Sequence, residues 1–183
     1  MAIEYRTEPD RSEFLDGVAH PKVSPRQRHA VVQGKLVRII ATAGEGLGQC
    51  GPEWEIRLAQ RSKPTRFIPD VAFFSFERLR ALAPADRECP PCAPDVTVEV
   101  FSLGDSRRYL QQKIALYLTH GALVVLDVDP LDRSIRVFDR ERGAVPLLLC
   151  AGAVFAHEAV PWLRFNVQEA FADLDIPEKD NGR

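Results

Sequence analysis

Apolar and polar positions along this chain change period several times, and each change predicts an element. From Pro25 to Ala43, His29, Val32, Leu36 and Ile39-Ile40 recur at three- and four-residue spacing, which predicts an amphipathic helix. Ser24-Pro25 reads as its N-cap and first helical position, and Gly44-Glu-Gly46-Leu-Gly48 ends it in a breaker-rich loop. Strand-like runs follow at Trp54–Leu58, Arg66–Ser75 and Asp95–Phe101. In the third, Val96, Val98 and Val100 share one face, and Asp95, Thr97, Glu99 and Phe101 share the other. Between the second and third lie a short helical piece, Glu77–Leu82, and a proline-rich loop.

Asp105–His120 reads as a second long helix with Leu110, Ile114, Tyr117 and Leu118 as its apolar stripe, stopped by Gly121. Lys113 lies about 40° around that helix from Tyr109 and Tyr117, at the edge of the buried face. Ala122–Val128 is almost unbroken in apolar residues and suits a central strand covered on both sides. Asp16-Gly17 marks a small hairpin, and Ser134–Phe138 with Ala144–Cys150 forms another around Glu141–Gly143. Asn166–Leu174 is a short closing helix. The strand, helix, strand order after Asp95 is the crossover of an α/β (α+β) protein: a mixed central sheet flanked by helices. The expected organisation is a flexible N-terminal segment over 1–12, one domain over 13–175 and a polar tail over 176–183.

Composition narrows the class of protein. No apolar run has the length of a membrane span, and the N-terminus MAIEYRTEPDR lacks a signal peptide's apolar segment, so the expectation is a cytoplasmic protein without membrane contact. A formal charge of −2 argues against a dedicated non-specific nucleic-acid binder. It leaves room for a nuclease, whose acidic metal ligands offset basic phosphate contacts. Basic residues cluster locally at Lys22, Arg26 and Arg28, at Arg57, Arg61, Lys63 and Arg66, and at Arg107 and Arg108. Each cluster also reads as an ordinary solvated surface. Cys89-Pro-Pro-Cys92 has the gap of a zinc or redox half-site, with Cys50 and Cys150 as conceivable partners, although flanking prolines suggest a loop.

Three residues carry the strongest chemistry. Asp70 follows Pro69, which cannot donate to a sheet ladder and marks an irregular point where a side chain can be turned into a cleft. Glu99 leaves its strand opposite three valines, and Lys113 is carried towards the strand end by the returning helix. Two carboxylates on neighbouring strands can hold a hard cation, and a nearby ammonium can steady a phosphate or a water. His29, beside apolar helical positions, reads as a supporting histidine rather than a ligand. No nucleophile elbow or phosphate-binding loop competes.

The motifs also fall in a familiar order. An Asp-Gly turn, Ser24-Pro25, His29 on a helix, Pro69-Asp70-Val71 and Ala93-Pro94-Asp95 come first. Val98-Glu99-Val100 with Ser102, Lys113 with Tyr117, Gly121 and Val128-Asp129-Pro130 follow. Over residues 13–175 this resembles the Uma-type restriction endonuclease family of the PD-(D/E)XK nuclease superfamily. The resemblance implies a restriction-endonuclease-like fold, with Asp70 and Glu99 as metal-binding acids and Lys113 as the catalytic lysine. The usual lysine two residues after the glutamate is replaced by Phe101, so Lys113 supplies the positive charge. Glu13 matches a commonly acidic position and takes a supporting role, with His29, Ser102 and Tyr117. Tyr109 stands where the family has an acid, and Val124 and Leu126 stand where it often carries glutamate and tryptophan.

The expected protein is therefore a Mg²⁺- or Mn²⁺-dependent endodeoxyribonuclease. Asp70, Glu99 and the Val100 carbonyl would hold the ion, and Arg107 and Arg108 would contact phosphates. By the resemblance alone, the expected partner is double-stranded DNA. A homodimer would set two such sites in symmetry to cut both strands. The alternatives are a nuclease-fold protein of weakened or lost activity that binds nucleic acid or a partner, and a zinc or thiol module built on Cys89 and Cys92.

Overall fold

The computed structural model describes residues 12–22, 24–58, 65–102 and 104–176. The N-terminal segment 1–11, the tail 177–183, and Arg61 and Lys63 of the basic clusters lie outside the described residues.

The chain opens on a hairpin, β1 (Ser12–Leu15) and β2 (Val18–Pro21). Asp16 and Gly17 between them both take positive φ, 51° and 79°, the tight turn whose twist matches paired strands. α1 (Gln27–Ala43) starts slightly later than Ser24-Pro25 implies, with extended Arg26 at its N-cap and no side-chain cap. Its buried face, Val32, Gln33, Leu36 and Ile40, keeps the helical period. Next come β3 (Gly48–Pro52), β4 (Ile56–Leu58), β5 (Thr65–Phe67) and β6 (Val71–Ser75). The short α2 (Phe76–Ala81), capped by the Ser75 hydroxyl, leads through the proline-rich loop to β7 (Val96–Val100).

After β7 the chain forms α3 (Arg107–Thr119), β8 (Val124–Asp129), β9 (Ser134–Phe138) and β10 (Leu147–Leu149). It closes with β11 (Val154–Ala156), β12 (Arg164–Asn166) and α4 (Val167–Phe171). The large sheet is mixed, in the order β10-β9-β8-β7-β6-β3, and its parallel pair is β7 with β8, joined across α3. A second sheet runs β2-β1-β5-β4, and β11 pairs with β12. Helices flank the large sheet as expected. Among the described residues no helix is long and apolar enough to cross a membrane.

Two departures from the sequence pattern shape the molecule. The single run expected over Arg66–Ser75 is two strands in two different sheets, broken at Ile68-Pro69-Asp70. Pro69 has no N–H to continue a ladder, and the flanking backbone groups are satisfied by side chains instead. Ile68 donates its N–H to Glu13 Oε1 and accepts from Lys22 Nζ, while the Asp70 carbonyl accepts from Gln33 Nε2. β3 lies where the pattern reads only loop, because its glycines and proline carry little strand propensity. Pairing along β6 overrides that, and a Cβ at Gly48 would meet the Phe74 carbonyl at 2.2 Å.

The alternation along the central strands sorts two cores. Val96, Val98 and Val100 join Val124, Leu126 and Val128 beneath α1. Ala72, Phe74 and Val125 pack on the other face beneath Leu110, Ile114 and Tyr117 of α3. The second face is the one from which Glu99 projects.

Candidate active site

The break before β6 and the end of β7 lie side by side. Val71 pairs with Val98, so Asp70, one residue before β6, is brought alongside Glu99. Both line a cleft of about 340 Å³, together with Glu13 from β1, His29 from α1 and Lys113 from α3. Four elements and the break between β5 and β6 thus contribute these residues to one pocket.

Asp70 is buried, and each of its oxygens has partners. Oδ2 accepts the Val100 N–H at 2.7 Å; Oδ1 lies 2.8 Å from Lys22 Nζ and 3.3 Å from His29 Nε2. Burial opposes ionisation, but the hydrogen bond from His29 and the Lys22 ammonium outweigh it and hold the carboxyl well below the usual range. The other ring nitrogen of His29 is 2.9 Å from Ser102 Oγ, so serine, histidine and aspartate form a short polar chain along one wall. His29 therefore touches Asp70 directly.

Glu99 faces Lys113. Its Oε1 lies 2.8 Å from Lys113 Nζ and accepts the Tyr117 hydroxyl at 2.6 Å. Burial, with Asp70 and Glu13 adding like charge, pushes the Glu99 carboxyl up to about 7 even beside that ammonium. Lys113 is buried too, and Glu13 Oε1 stands 2.8 Å from the same nitrogen. Burial alone would lower the lysine pKa; the two carboxylates outweigh it and raise it well above the ordinary value. Glu13 also accepts the Tyr109 hydroxyl at Oε2, at 2.9 Å. Tyr109 and Lys113 are one helical turn apart and so reach the same carboxylate.

The residues expected from the sequence divide into two groups. Asp70, Glu99, Lys113, Glu13, His29, Ser102 and the Val100 backbone line the cleft, and Tyr117 lies directly behind Glu99. Arg107 faces elsewhere: it lies over the Phe101 ring at 3.3 Å and bonds Asp127 and Asp129 at 2.6 to 3.1 Å. Arg108 is exposed on the first turn of α3. Cys89 contacts Glu55 and its thiol is pushed up to about 11, first by burial. Cys50 lies on β3 at one edge of the large sheet, and Cys150 follows β10 at the other. Among the described residues, no three His, Cys, Asp or Glu side chains are gathered as a ready metal cage.

Three contributors escaped the pattern. Lys22 reads as one of a basic cluster and His20 as an isolated histidine, and the helical pattern assigns Gln33 no part. In the fold Lys22 reaches Asp70, Gln33 holds its carbonyl, and His20 stacks on Tyr109 with ring centroids 4.1 Å apart. For Lys22 and His20 no local signal exists, since a hairpin brings them in from outside the central sheet. Gln33 offered one, as the amide on an otherwise apolar helical face.

Comparison with known proteins bears on the family and the fold. The family described as "Uma2: Putative restriction endonuclease" matches residues 1–168. In fold the chain is similar to a putative nuclease of DUF820 from Anabaena variabilis ATCC 29413, with a TM-score of 0.76 and 19% sequence identity. That match covers 90% of this chain and 93% of the other. No curated protein sequence matches it.

Proposed function

The chain belongs to the Uma2 family of putative restriction endonucleases, and on that premise we propose that it is a divalent-metal-dependent endodeoxyribonuclease acting on double-stranded DNA. The observation that carries the proposal is the meeting of Asp70, Glu99 and Lys113, from three separate stretches of chain, in one cleft.

The donor set suits a hard cation. Glu99 offers carboxylate oxygens from β7 and Asp70 from the break before β6, the Val100 carbonyl would add a third donor, and Asp70 Oδ1 already holds one cation, the Lys22 ammonium. Mg²⁺ and Mn²⁺ both take oxygen ligands of this kind. Bound there, such an ion would lower the pKa of a water and offset charge growing on the phosphate.

The chain's own residues do the rest. Lys113, held between Glu99 and Glu13, presents a permanently charged ammonium to the phosphate or the attacking water. Tyr117 and Lys113 fix the Glu99 carboxylate, and the Val100 N–H fixes that of Asp70, so neither acid must be ordered at the moment of reaction. His29 bridges Asp70 and Ser102 and sets the orientation of that wall. Arg108, exposed on the first turn of α3, would add a phosphate contact, whereas Arg107 covers Phe101 and is engaged by Asp127 and Asp129.

A binding-only protein of the same fold is the second reading. One observation favours it: Lys113 is shared by two carboxylates. Supercoiled plasmid with Mg²⁺ or Mn²⁺ separates the two. Nicking by the native chain, lost in Glu99→Ala and in Lys113→Ala, supports the nuclease. Equal plasmid integrity for all three, with gel shifts retained, supports binding alone.

A further inference from the structure

We infer that Lys22 is a tethered cation that holds Asp70 until a divalent ion displaces it, and so sets the metal concentration at which the site loads. The inference rests on the metal-dependent reading above.

Lys22 Nζ is seated between two oxygens, Asp70 Oδ1 at 2.8 Å and the Ile68 carbonyl at 2.5 Å. Its side chain is 14% exposed and that of Asp70 is 3% exposed, so the pair is shielded from water rather than spread over a surface. An ammonium and a divalent ion repel at such range, so the two compete for the Asp70 carboxylate and each weakens the other's hold on it.

The charge of the cleft points the same way. Asp70, Glu99 and Glu13 face Lys22 and Lys113, and the exposed Arg26 and Asp105 at the rim offset one another. Counted with all three acids ionised, as metal binding requires, the buried set with both lysines in place is one negative charge from neutrality. A divalent ion beside both lysines overshoots to positive, whereas the same ion with Lys22 withdrawn balances the three acids.

Lysine is suited to leaving. It comes from the end of the β1–β2 hairpin on a four-carbon flexible stem, and its ammonium makes no bidentate lock. His29, at 3.3 Å from the same oxygen, stays on α1 and keeps Asp70 oriented. Lys22 is thus a positioning residue of the metal site rather than a catalytic one.

Mn²⁺ titration of the DNA-free protein, by calorimetry and by the change in melting temperature, tests this. Lys22→Met is expected to bind Mn²⁺ about tenfold more tightly than the native chain, the scale of one lost short-range charge contact. It should melt lower without metal and gain more on adding Mn²⁺. Lys22→Arg, which keeps a cation, is expected to bind no more tightly than native. Asp70→Asn should abolish binding in every background.

If Lys22→Met and native bind equally while Asp70→Asn abolishes both, the displacement is overturned and the metal site stands. If Lys22→Arg binds as tightly as Lys22→Met, charge is not the cause and the inference also fails. Binding that is absent in all forms, or indifferent to Asp70→Asn, overturns the metal-site reading and this inference together.

Discussion

Glu13 and Lys113 meet at 2.8 Å across 100 residues of chain. The contact ties the N-terminal hairpin to the helix that carries the ammonium. It also makes Glu13 more than a bystander, because the same carboxylate accepts from Tyr109 and from the Ile68 N–H. Glu13 organises the break that turns Asp70 into the cleft.

Removing Lys113 is expected to cost stability as well as activity. Lys113→Ala leaves Glu13 and Glu99 buried without their counter-charge, a loss of roughly 3–5 kcal/mol for a broken buried pair. Protonation of Glu99, whose carboxyl burial pushes up, relieves part of the cost, so the deficit should shrink at pH 5 relative to pH 8. Urea unfolding at the two pH values measures it, and a deficit independent of pH would reject this account.

Glu99 predicts an unusual slope of stability with pH in the metal-free protein. Its carboxyl sits at about 7, against an ordinary 4.5. Between those values the folded chain binds more protons than the unfolded one, so stability falls as pH rises. Glu99→Gln should flatten that slope and gain up to roughly 3 kcal/mol over native at pH 8, with no gain near pH 4.5. Melting curves across pH 4.5–8 provide the check.

Tyr109→Phe removes one hydrogen bond to Glu13 and keeps the ring that stacks on His20. The expected cost is about 1–2 kcal/mol, with the fold intact. Because Glu13 also holds Lys113, plasmid nicking should fall without vanishing. Loss of nicking as complete as in Lys113→Ala would show that the tyrosine hydroxyl itself reaches the reacting groups.

Arg107 and Arg108, neighbours in sequence, should separate by assay. Arg107→Ala strips Asp127 and Asp129 of a partner and uncovers Phe101, so thermal stability should drop. Arg108→Ala should leave melting unchanged. If Arg108 meets phosphate, its removal lowers the slope of log K against log salt for DNA binding by about 1.

Much of the fold was legible because it follows from periodicity. The two long helices, the alternating β7, the doubly covered β8 and the Asp16-Gly17 hairpin each rest on local spacing, which the chain carries whatever surrounds it. β3 and the β11–β12 pair did not announce themselves: β3 is rich in glycine, and the three-residue runs Val154–Ala156 and Arg164–Asn166 are too short to show a period, so they become strands only when a partner is present.

The candidate site divides in the same way. Sequence alone determined which residues could do chemistry: Pro69 marked the irregular point at Asp70, alternation put Glu99 on the face away from the valines, and helical geometry set Lys113 at the edge of a buried stripe. Only the tertiary structure decided their company. It brought Glu13 to Lys113, Lys22 and His29 to Asp70, and turned Arg107 away towards Asp127. Those contacts join residues from separate elements, and side-chain partners across such distances are set by packing of the whole chain rather than by any local period.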